Sequence, residues 1–502
     1  MEIEVKFHVP AERRRALWTA LSRGRTKLAP LQAHYFDTAA GLLAGKQISL
    51  RLRREDGQWV QTLKASGEDG ADRVAVRFEH EVPVGEPGAA MPSLDISRHA
   101  GSPAGERLRK VLKKGGRKGG DARLVEVFRT EVDRQTRLFK RAGGLIVEAA
   151  LDQGWLIAGD ARHEICEIEF ELKAGPLSGL FPLATDWLAA HGLWLDTVAK
   201  GARGELLRKG QLYAEAVKAR VPAVDESMDA AAFARATCAA CLDHVMANAS
   251  AVAQGSESAE HIHQLRVGLR RLRTAISELA EFNAGIDPGW EHPLAEVFGA
   301  LGEARDRHML ETALRGDLLA AGAPGVPVFD SPASPTPTPV SQVVRAGEFQ
   351  CCLLAVLAFV MKASPVAGTA FEGTTMDALA DRLDHLHGRL RHSAKTFTAL
   401  AVEDQHHVRK QLKRLRYLAE FIGPLFRRSA VADYLDTLKP AQDALGRHND
   451  EIVALQACRE HLSPGSAEWF AIGWLSARQA VSAEAAAKAL RSAGKAACFW
   501  RD

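Results

Sequence analysis

Met1-Glu-Ile-Glu-Val-Lys-Phe7 opens the chain, and Glu167-Ile-Glu-Phe-Glu-Leu-Lys173 answers it much later. Both stretches alternate charged and apolar residues, the period of a β-strand. Alternation puts Glu2, Glu4 and Lys6 on one face of the first strand. It puts Glu167, Glu169 and Glu171 on one face of the second, with Ile168, Phe170 and Leu172 behind them. Five carboxylates in such rows repel one another unless solvent, a metal cation or basic side chains answer them. Which of these answers them decides the function.

The 502-residue chain is long for one core, so two or three domains are expected. A hydrophobic content of 46% with 25% charged residues reads as soluble and globular. The longest apolar run, Leu353 to Met361, falls well short of the roughly 20 residues of a membrane helix. The first residues already read as a strand, so no signal peptide is expected. Seven cysteines without disulfide-like spacing suit a reducing compartment. Cys238 and Cys241 have a CxxC spacing but lie in an Ala-rich helical run with no second pair, and are expected to be buried and inert. A net charge of +3 points to no particular partner; the local distribution of charge carries the information.

Two textures divide the chain. Up to about residue 173 strands dominate. Gln47 to Arg54 and Gln58 to Lys64, joined at Asp56-Gly57, predict a hairpin. Arg73–Val82, Leu124–Arg134, Leu145–Leu151 and His163–Leu172 predict further strands. Pro10–Leu21 and Gly179–His191 predict helices. From about Ser227 the chain is rich in Ala, Leu and Arg and reads as helical, interrupted by a Pro-rich loop near 322–340. The domains expected are residues 1–205, a connector over 206–226, and a helical domain over 227–502.

The helical half contains a repeat. His263, Arg266, Arg270 and Arg273 stand at relative positions 0, 3, 7 and 10, and His406, Arg409, Lys413 and Arg416 repeat those intervals 143 residues later. Leu301-Gly…Asp306 and Leu445-Gly…Asp450 follow at an offset of 144. Two related helical bundles facing each other are the simplest architecture.

In the first half, cations mix with the carboxylates on the polar strand faces. Arg51 and Arg53 share a face, Lys64 ends the next strand, Arg77, Glu79 and Glu81 share another, and Lys200 and Arg203 follow the terminal helix. Carboxylates suit a hard divalent cation, and Arg and Lys suit phosphate oxygens. Together they fit phosphoryl transfer or phosphoanhydride hydrolysis, where positioning and charge neutralisation supply most of the catalysis. The competing reading is a solvated sheet face laced with ion pairs.

Glu2-x-Glu4-x-Lys6, Tyr35-Phe-Asp-Thr38, Leu50-Arg-Leu-Arg53, Thr62-Leu-Lys64, Arg77-x-Glu79-x-Glu81 and Glu167-x-Glu169-x-Glu171 resemble the signature of the CYTH, or triphosphate tunnel metalloenzyme, family over roughly residues 1–205. The resemblance implies an α+β chain that starts with an eight-stranded antiparallel β tunnel holding a linear triphosphate. It implies hydrolysis of inorganic triphosphate to pyrophosphate and phosphate with Mg²⁺ or Mn²⁺. Phosphate binding would fall to Lys6, Arg51, Arg53, Lys64, Arg77, Arg134, Lys200 and Arg203. Metal binding would fall to Glu2, Glu4, Glu79, Glu81, Asp152, Glu167, Glu169 and Glu171. Catalytic roles would fall to Lys6, Glu79, Glu81, Glu169 and Lys200. Arg129 and Arg134 have opposite strand parity, and Arg134 is the preferred inward residue. Family members also include adenylate cyclases and thiamine and RNA triphosphatases, so a nucleotide or thiamine triphosphatase or a cyclase is an alternative.

The basic stripes of the second half match a line of phosphates, so nucleic acid and polyphosphate compete as ligands. No aromatic stacking series accompanies them, which disfavours single-stranded nucleic acid. The repeated His-x-x-Arg/Arg-x-x-Arg pattern resembles the CHAD domain, a conserved histidine alpha-helical domain, over about residues 227–502. The resemblance implies an all-α, internally duplicated bundle that binds inorganic polyphosphate through His263, Arg266, Arg270, Arg273, Arg389, His406, Arg409, Lys413 and Arg416. A cytoplasmic protein associated with polyphosphate granules is expected, with no membrane and no sequence-specific nucleic-acid partner. The rival reading is a non-catalytic polyphosphate-binding scaffold.

Overall fold

A computed structural model describes residues 2–65, 76–86, 88–117, 123–283, 285–309, 314–325, 338–362, 375–460 and 468–501. The side chains of Glu2 and Arg77 are outside this description, as are Arg73 to Ala75 of one predicted strand and most of the Pro-rich segment. The chain forms two compact units. The first is Met1–Val217 with Met246–Glu257 and Val344–Lys362, and the second is Lys218–Val245, Ser258–Val343 and Ala363–Asp502.

The strands of the first unit are β1 (Glu2–His8), β2 (Thr26–Thr38), β3 (Ile48–Glu55), β4 (Gln58–Ala65), β5 (Val76–Val84), β6 (Leu124–Lys140), β7 (Ile146–Ala158), β8 (Ala161–Ala174) and β9 (Trp194–Leu195). The β3–β4 hairpin forms as its sequence predicts. Asp56 and Gly57 both have positive φ, 52° and 80°, the conformation a two-residue hairpin turn of matching twist requires. The two acidic stretches are strands, as their alternation predicts, and the pairing Glu4↔Glu171, Lys6↔Glu169 and His8↔Glu167 makes them antiparallel neighbours.

The α+β character stands, but the eight-stranded closed tunnel is corrected. Among the described residues the sheet has nine strands in the order β5-β4-β3-β2-β6-β7-β8-β1-β9. Closure would join β5 to β1 along their length; they share only the two-residue ladder Glu2↔Arg77 and Ile3↔Val76. Further along β1, β9 pairs with Phe7 and His8.

The helices are α1 (Arg14–Leu21), α2 (Pro103–Arg117), α3 (Leu180–His191), α4 (Lys200–Arg208), α5 (Ala230–Ala253), α6 (Ala259–Leu279), α7 (Glu291–Met309), α8 (Arg315–Ala320), α9 (Val340–Arg345), α10 (Gly347–Val360), α11 (Thr375–Thr396), α12 (Val402–Ile422), α13 (Arg428–Glu460) and α14 (Glu468–Ala493). In the first unit α4 packs on β6, β7 and β8. Gly204 permits the approach, because a Cβ there would lie 2.2 Å from the ring of Phe128. Phe128 is itself buried and stacked on Tyr35 at 4.4 Å. Gly204→Ala is therefore expected to destabilise the chain by about 1–3 kcal/mol through overpacking, read as a lowered denaturant midpoint.

In the second unit α6 and α12 carry the two copies of the basic repeat, each with a buried apolar side formed by Leu265, Leu269 and Leu272 or by Leu412, Leu415 and Leu418. Their ion pairs are reciprocal. Arg271 of α6 bonds Glu420 of α12, and Arg414 of α12 bonds Glu278 of α6. Cys238 and Cys241 are buried in α5, and burial pushes both thiols up, Cys241 to about 11. Among the described residues, no helix is long and apolar enough to cross a membrane.

Candidate functional site

Directly opposed residues of antiparallel strands project to the same face. The register therefore carries one face across the sheet: Lys6↔Glu169, Glu167↔Asp152, Asp152↔Arg134, Arg134↔Ala29, then Tyr35↔Arg51, Arg51↔Thr62, Thr62↔Glu81 and Lys64↔Glu79. Arg129 has the opposite parity and pairs with Glu131 at 2.9 Å, whereas Arg134 joins the acidic face.

Two polar clusters result. In the first, Arg134 holds Asp152 with two bonds, 2.6 Å from Nε and 2.7 Å from Nη2, and reaches Glu169 at 3.0 Å. The first turn of α4 contributes Lys200, 2.8 Å from Asp152 and 3.0 Å from Glu169, and also paired with Glu167. One turn on, Arg203 bonds Glu167 and stands 3.4 Å from Asp196. Lys6 lies 3.6 Å from Glu167 and 3.9 Å from Asp196, and donates to the Val198 carbonyl. Four carboxylates (Asp152, Glu167, Glu169, Asp196) thus face four cations (Lys6, Arg134, Lys200, Arg203), and their formal charges cancel.

The second cluster is more open. Lys64 pairs with Glu79 at 3.0 Å, while Glu81 accepts from Thr62 at 3.0 Å and from Arg53 at 3.3 Å. Arg51 donates to the Tyr35 hydroxyl at 3.4 Å.

Burial works to discharge Lys6, Arg134, Asp152, Glu169, Lys200 and Arg203; the neighbours decide the outcome. For Lys6, burial wins, with Arg203 and Lys200 adding to it against Asp196, and its ammonium is pushed down to about 7. For Lys200, Asp152 and Glu169 outweigh burial and hold the ammonium above its ordinary value. Burial would raise Asp152 and Glu169, but Arg134 and Lys200 prevail and both titrate below the ordinary carboxylate range. The sign for stability follows. The unfolded chain takes up these protons first, so the contribution is present above the unfolded carboxyl values near pH 4 and is lost as pH falls further. Between pH 5 and pH 3 the urea midpoint of the chain is expected to fall more steeply than that of an Asp152→Asn variant; parallel slopes would refute the assignment.

Asp152, Glu167 and Glu169 each bring a carboxylate oxygen within 4.8 Å of the others. This three-residue cluster is able to chelate a divalent metal ion: hard oxygen donors fit a hard cation, and the neighbouring Lys and Arg are already competing for the same oxygens. Of the other expected metal residues, Glu4, Glu79, Glu81 and Glu171 are outside that cluster; Glu171 is 2.6 Å from Lys173. Asp196 escaped the sequence reading. It follows a two-residue strand that has no periodic signal.

In the second unit a cavity of about 1320 Å³ is lined by His263, Arg266 and Arg270 of α6 and by Arg409, Lys413 and Arg416 of α12. Arg273, Arg389 and His406 are not among its lining residues. Arg273 pairs with Glu291 at 2.9 Å, Arg389 is exposed on α11, and His406 is 2.7 Å from Asn449. Arg266, Arg270 and Arg273 all lie within 5.3 Å of the Phe298 ring centre, so one aromatic ring supports three guanidinium groups. Burial pushes the His406 imidazole down, and Lys410, Arg409 and Lys413 add to it. Arg220, Arg428 and Arg447 also line the cavity, and the repeat gave no sign of them because they stand outside its spacing.

Residues 1–204 match the CYTH domain family and residues 236–459 the CHAD domain family. The chain is a CYTH domain joined to a CHAD domain. An inorganic triphosphatase of Haemophilus influenzae is 29% identical over 177 residues, covering 35% of this chain; the chain spans less than half (46%) of that relative's length. Among solved structures, the CHAD domain of the plant Ricinus communis is 25% identical with a TM-score of 0.43, over 55% of this chain and 96% of the other. A putative adenylyl cyclase from Hippeastrum with a dominant triphosphatase activity is 22% identical with a TM-score of 0.29, over 42% of this chain and 97% of the other. At these TM-scores neither likeness carries an argument.

Proposed function

We propose that the first unit hydrolyses inorganic triphosphate to pyrophosphate and phosphate with Mg²⁺ or Mn²⁺, and that the second unit binds inorganic polyphosphate. The observation that carries the reading is the convergence of Asp152, Glu167 and Glu169 with Lys6, Arg134, Lys200 and Arg203 on one sheet face. Water attacks the terminal phosphorus, the bridging P–O bond breaks, and pyrophosphate leaves. Lys6, Arg134, Lys200 and Arg203 neutralise the phosphate oxygens, and Arg51, Arg53 and Lys64 extend the cationic lining along the chain of phosphates. Glu79 and Glu81, beside Lys64, Arg53 and Thr62, add acidic groups to this lining. Asp152, Glu167 and Glu169 would hold the divalent cation, which supplies polarisation of phosphate oxygens and charge neutralisation.

The inorganic triphosphatase activity carried by the Haemophilus relative's name agrees with this substrate choice. In the second unit the row of cations around the cavity supports a linear polyanion, and a cytoplasmic enzyme held at polyphosphate granules follows from joining the two. Purified chain with tripolyphosphate and either metal is expected to release phosphate and pyrophosphate in equal amounts. Folded chain that releases neither with Mg²⁺ nor with Mn²⁺ would reject the reading.

A further inference from the structure

Asp196 is buried, and its two carboxylate oxygens face different ways. Oδ1 accepts from the Val198 amide at 2.9 Å, from the Ser250 hydroxyl at 3.3 Å and from the Gln254 amide at 3.2 Å. Among the described residues Oδ2 has no hydrogen-bond partner, and it is turned toward Arg203 at 3.4 Å and Lys6 at 3.9 Å. The backbone reinforces the arrangement: the Asp196 amide donates to the Lys6 carbonyl at 3.0 Å, and the Val198 carbonyl accepts from the Lys6 ammonium. Ser250 also accepts from the Thr197 amide at 3.3 Å, and Gln350 of α10 accepts from the Leu195 amide at 2.8 Å. Segment 195–198 therefore hangs on side chains from the last turn of α5 and from α10.

Ser250, Gln254 and Gln350 fall inside the stretch that matches the CHAD family, yet they belong to the same compact unit as the acidic face. A carboxylate anchored by one oxygen presents the other in a fixed direction; without the anchor it rotates about its side-chain torsions. An oxygen fixed between two buried cations sets where those cations point.

We propose that Asp196, oriented by Ser250 and Gln254, is a positioning residue for Lys6 and Arg203, so that the end of α5 is a working part of the phosphate site. The proposal rests on the triphosphatase reading only for its kinetic test.

In the full chain, Ser250→Ala combined with Gln254→Leu is expected to lower kcat/KM for tripolyphosphate roughly tenfold through misplacement of the two cations. The change falls mainly on KM, because Lys6 and Arg203 contact bound phosphate before the bond breaks. Ser250→Thr keeps a hydroxyl and is expected to stay close to the parent chain, whereas Asp196→Ala is expected to cost about a hundredfold. Gln254→Leu alone serves if the double variant does not fold. Unchanged KM and kcat in a folded Ser250/Gln254 variant, or equal impairment by Ser250→Thr and Ser250→Ala, would overturn the proposal. If the parent chain releases no phosphate at all, the triphosphatase reading fails separately. Crystal structures then decide: an Asp196 carboxylate turned away from Lys6 and Arg203 in the variant supports positioning, and an unmoved one refutes it.

Discussion

Glu169→Gln is expected to lower phosphate release from tripolyphosphate by about 10²–10³-fold, the size of effect seen when one electrostatic partner of a reacting group is removed. Glu169 stands 3.0 Å from both Arg134 and Lys200 and is one of the three carboxylates that converge. The amide keeps the shape and removes the charge. Lys200 and Arg134 then lose one anion and turn more fully toward Asp152, so a cation entering the site meets two carboxylates under stronger competition. Mn²⁺ affinity, titrated calorimetrically, should fall at least about tenfold, since even an outer partner of a metal ligand costs that much. Turnover at the parent rate in folded Glu169→Gln would remove this carboxylate from the chemistry.

The second large effect lies in the helical unit. Arg270→Ala with Lys413→Ala takes one lining cation from each copy of the repeat, both from the wall of the same cavity. Each removed contact leaves a phosphate's counterion in place, so the loss grows as salt is lowered. Binding of long-chain polyphosphate should weaken by roughly a hundredfold near physiological salt, and the slope of log K against log salt should become shallower by about 1–2. Titrations at several salt concentrations, with the unfolding temperature as a check on the fold, measure both quantities. Unchanged affinity and slope would place the polyanion elsewhere.

Much of this was legible in the sequence because strand and helix periods are simple. Alternation placed Glu167 and Glu169 on one face of their strand and Lys6 on one face of its own, and the register sets the two faces side by side. The hairpin at Asp56-Gly57 was legible because two positive φ values need those residue types. The basic repeat marked α6 and α12, which exchange reciprocal Arg–Glu pairs. What escaped was long-range. Two residues of strand at Trp194–Leu195 are too short for any period, yet they pair with β1 and carry Asp196 into the site. Helix α2 also escaped; its glycines and dense lysines mask an apolar face that packs Ala104 and Leu108 against Leu43, Leu50 and Leu63. The family resemblance implied eight metal residues; only distance could single out Asp152, Glu167 and Glu169.

The short strand β9 has one more consequence, for the fate of the sheet in a crowded solution. An unpaired strand edge offers its amides and carbonyls to another chain and so invites aggregation. Here one end of the strand order is only Trp194–Leu195, with Trp194 stacked on His8 at 4.3 Å and covered by Arg345 at 4.2 Å. At the other end β5 keeps a two-residue ladder to β1, and Pro83 near its end has no amide hydrogen to donate. Both borders are thereby poor templates for a second copy, and a sheet of long strands is kept from growing sideways into fibres.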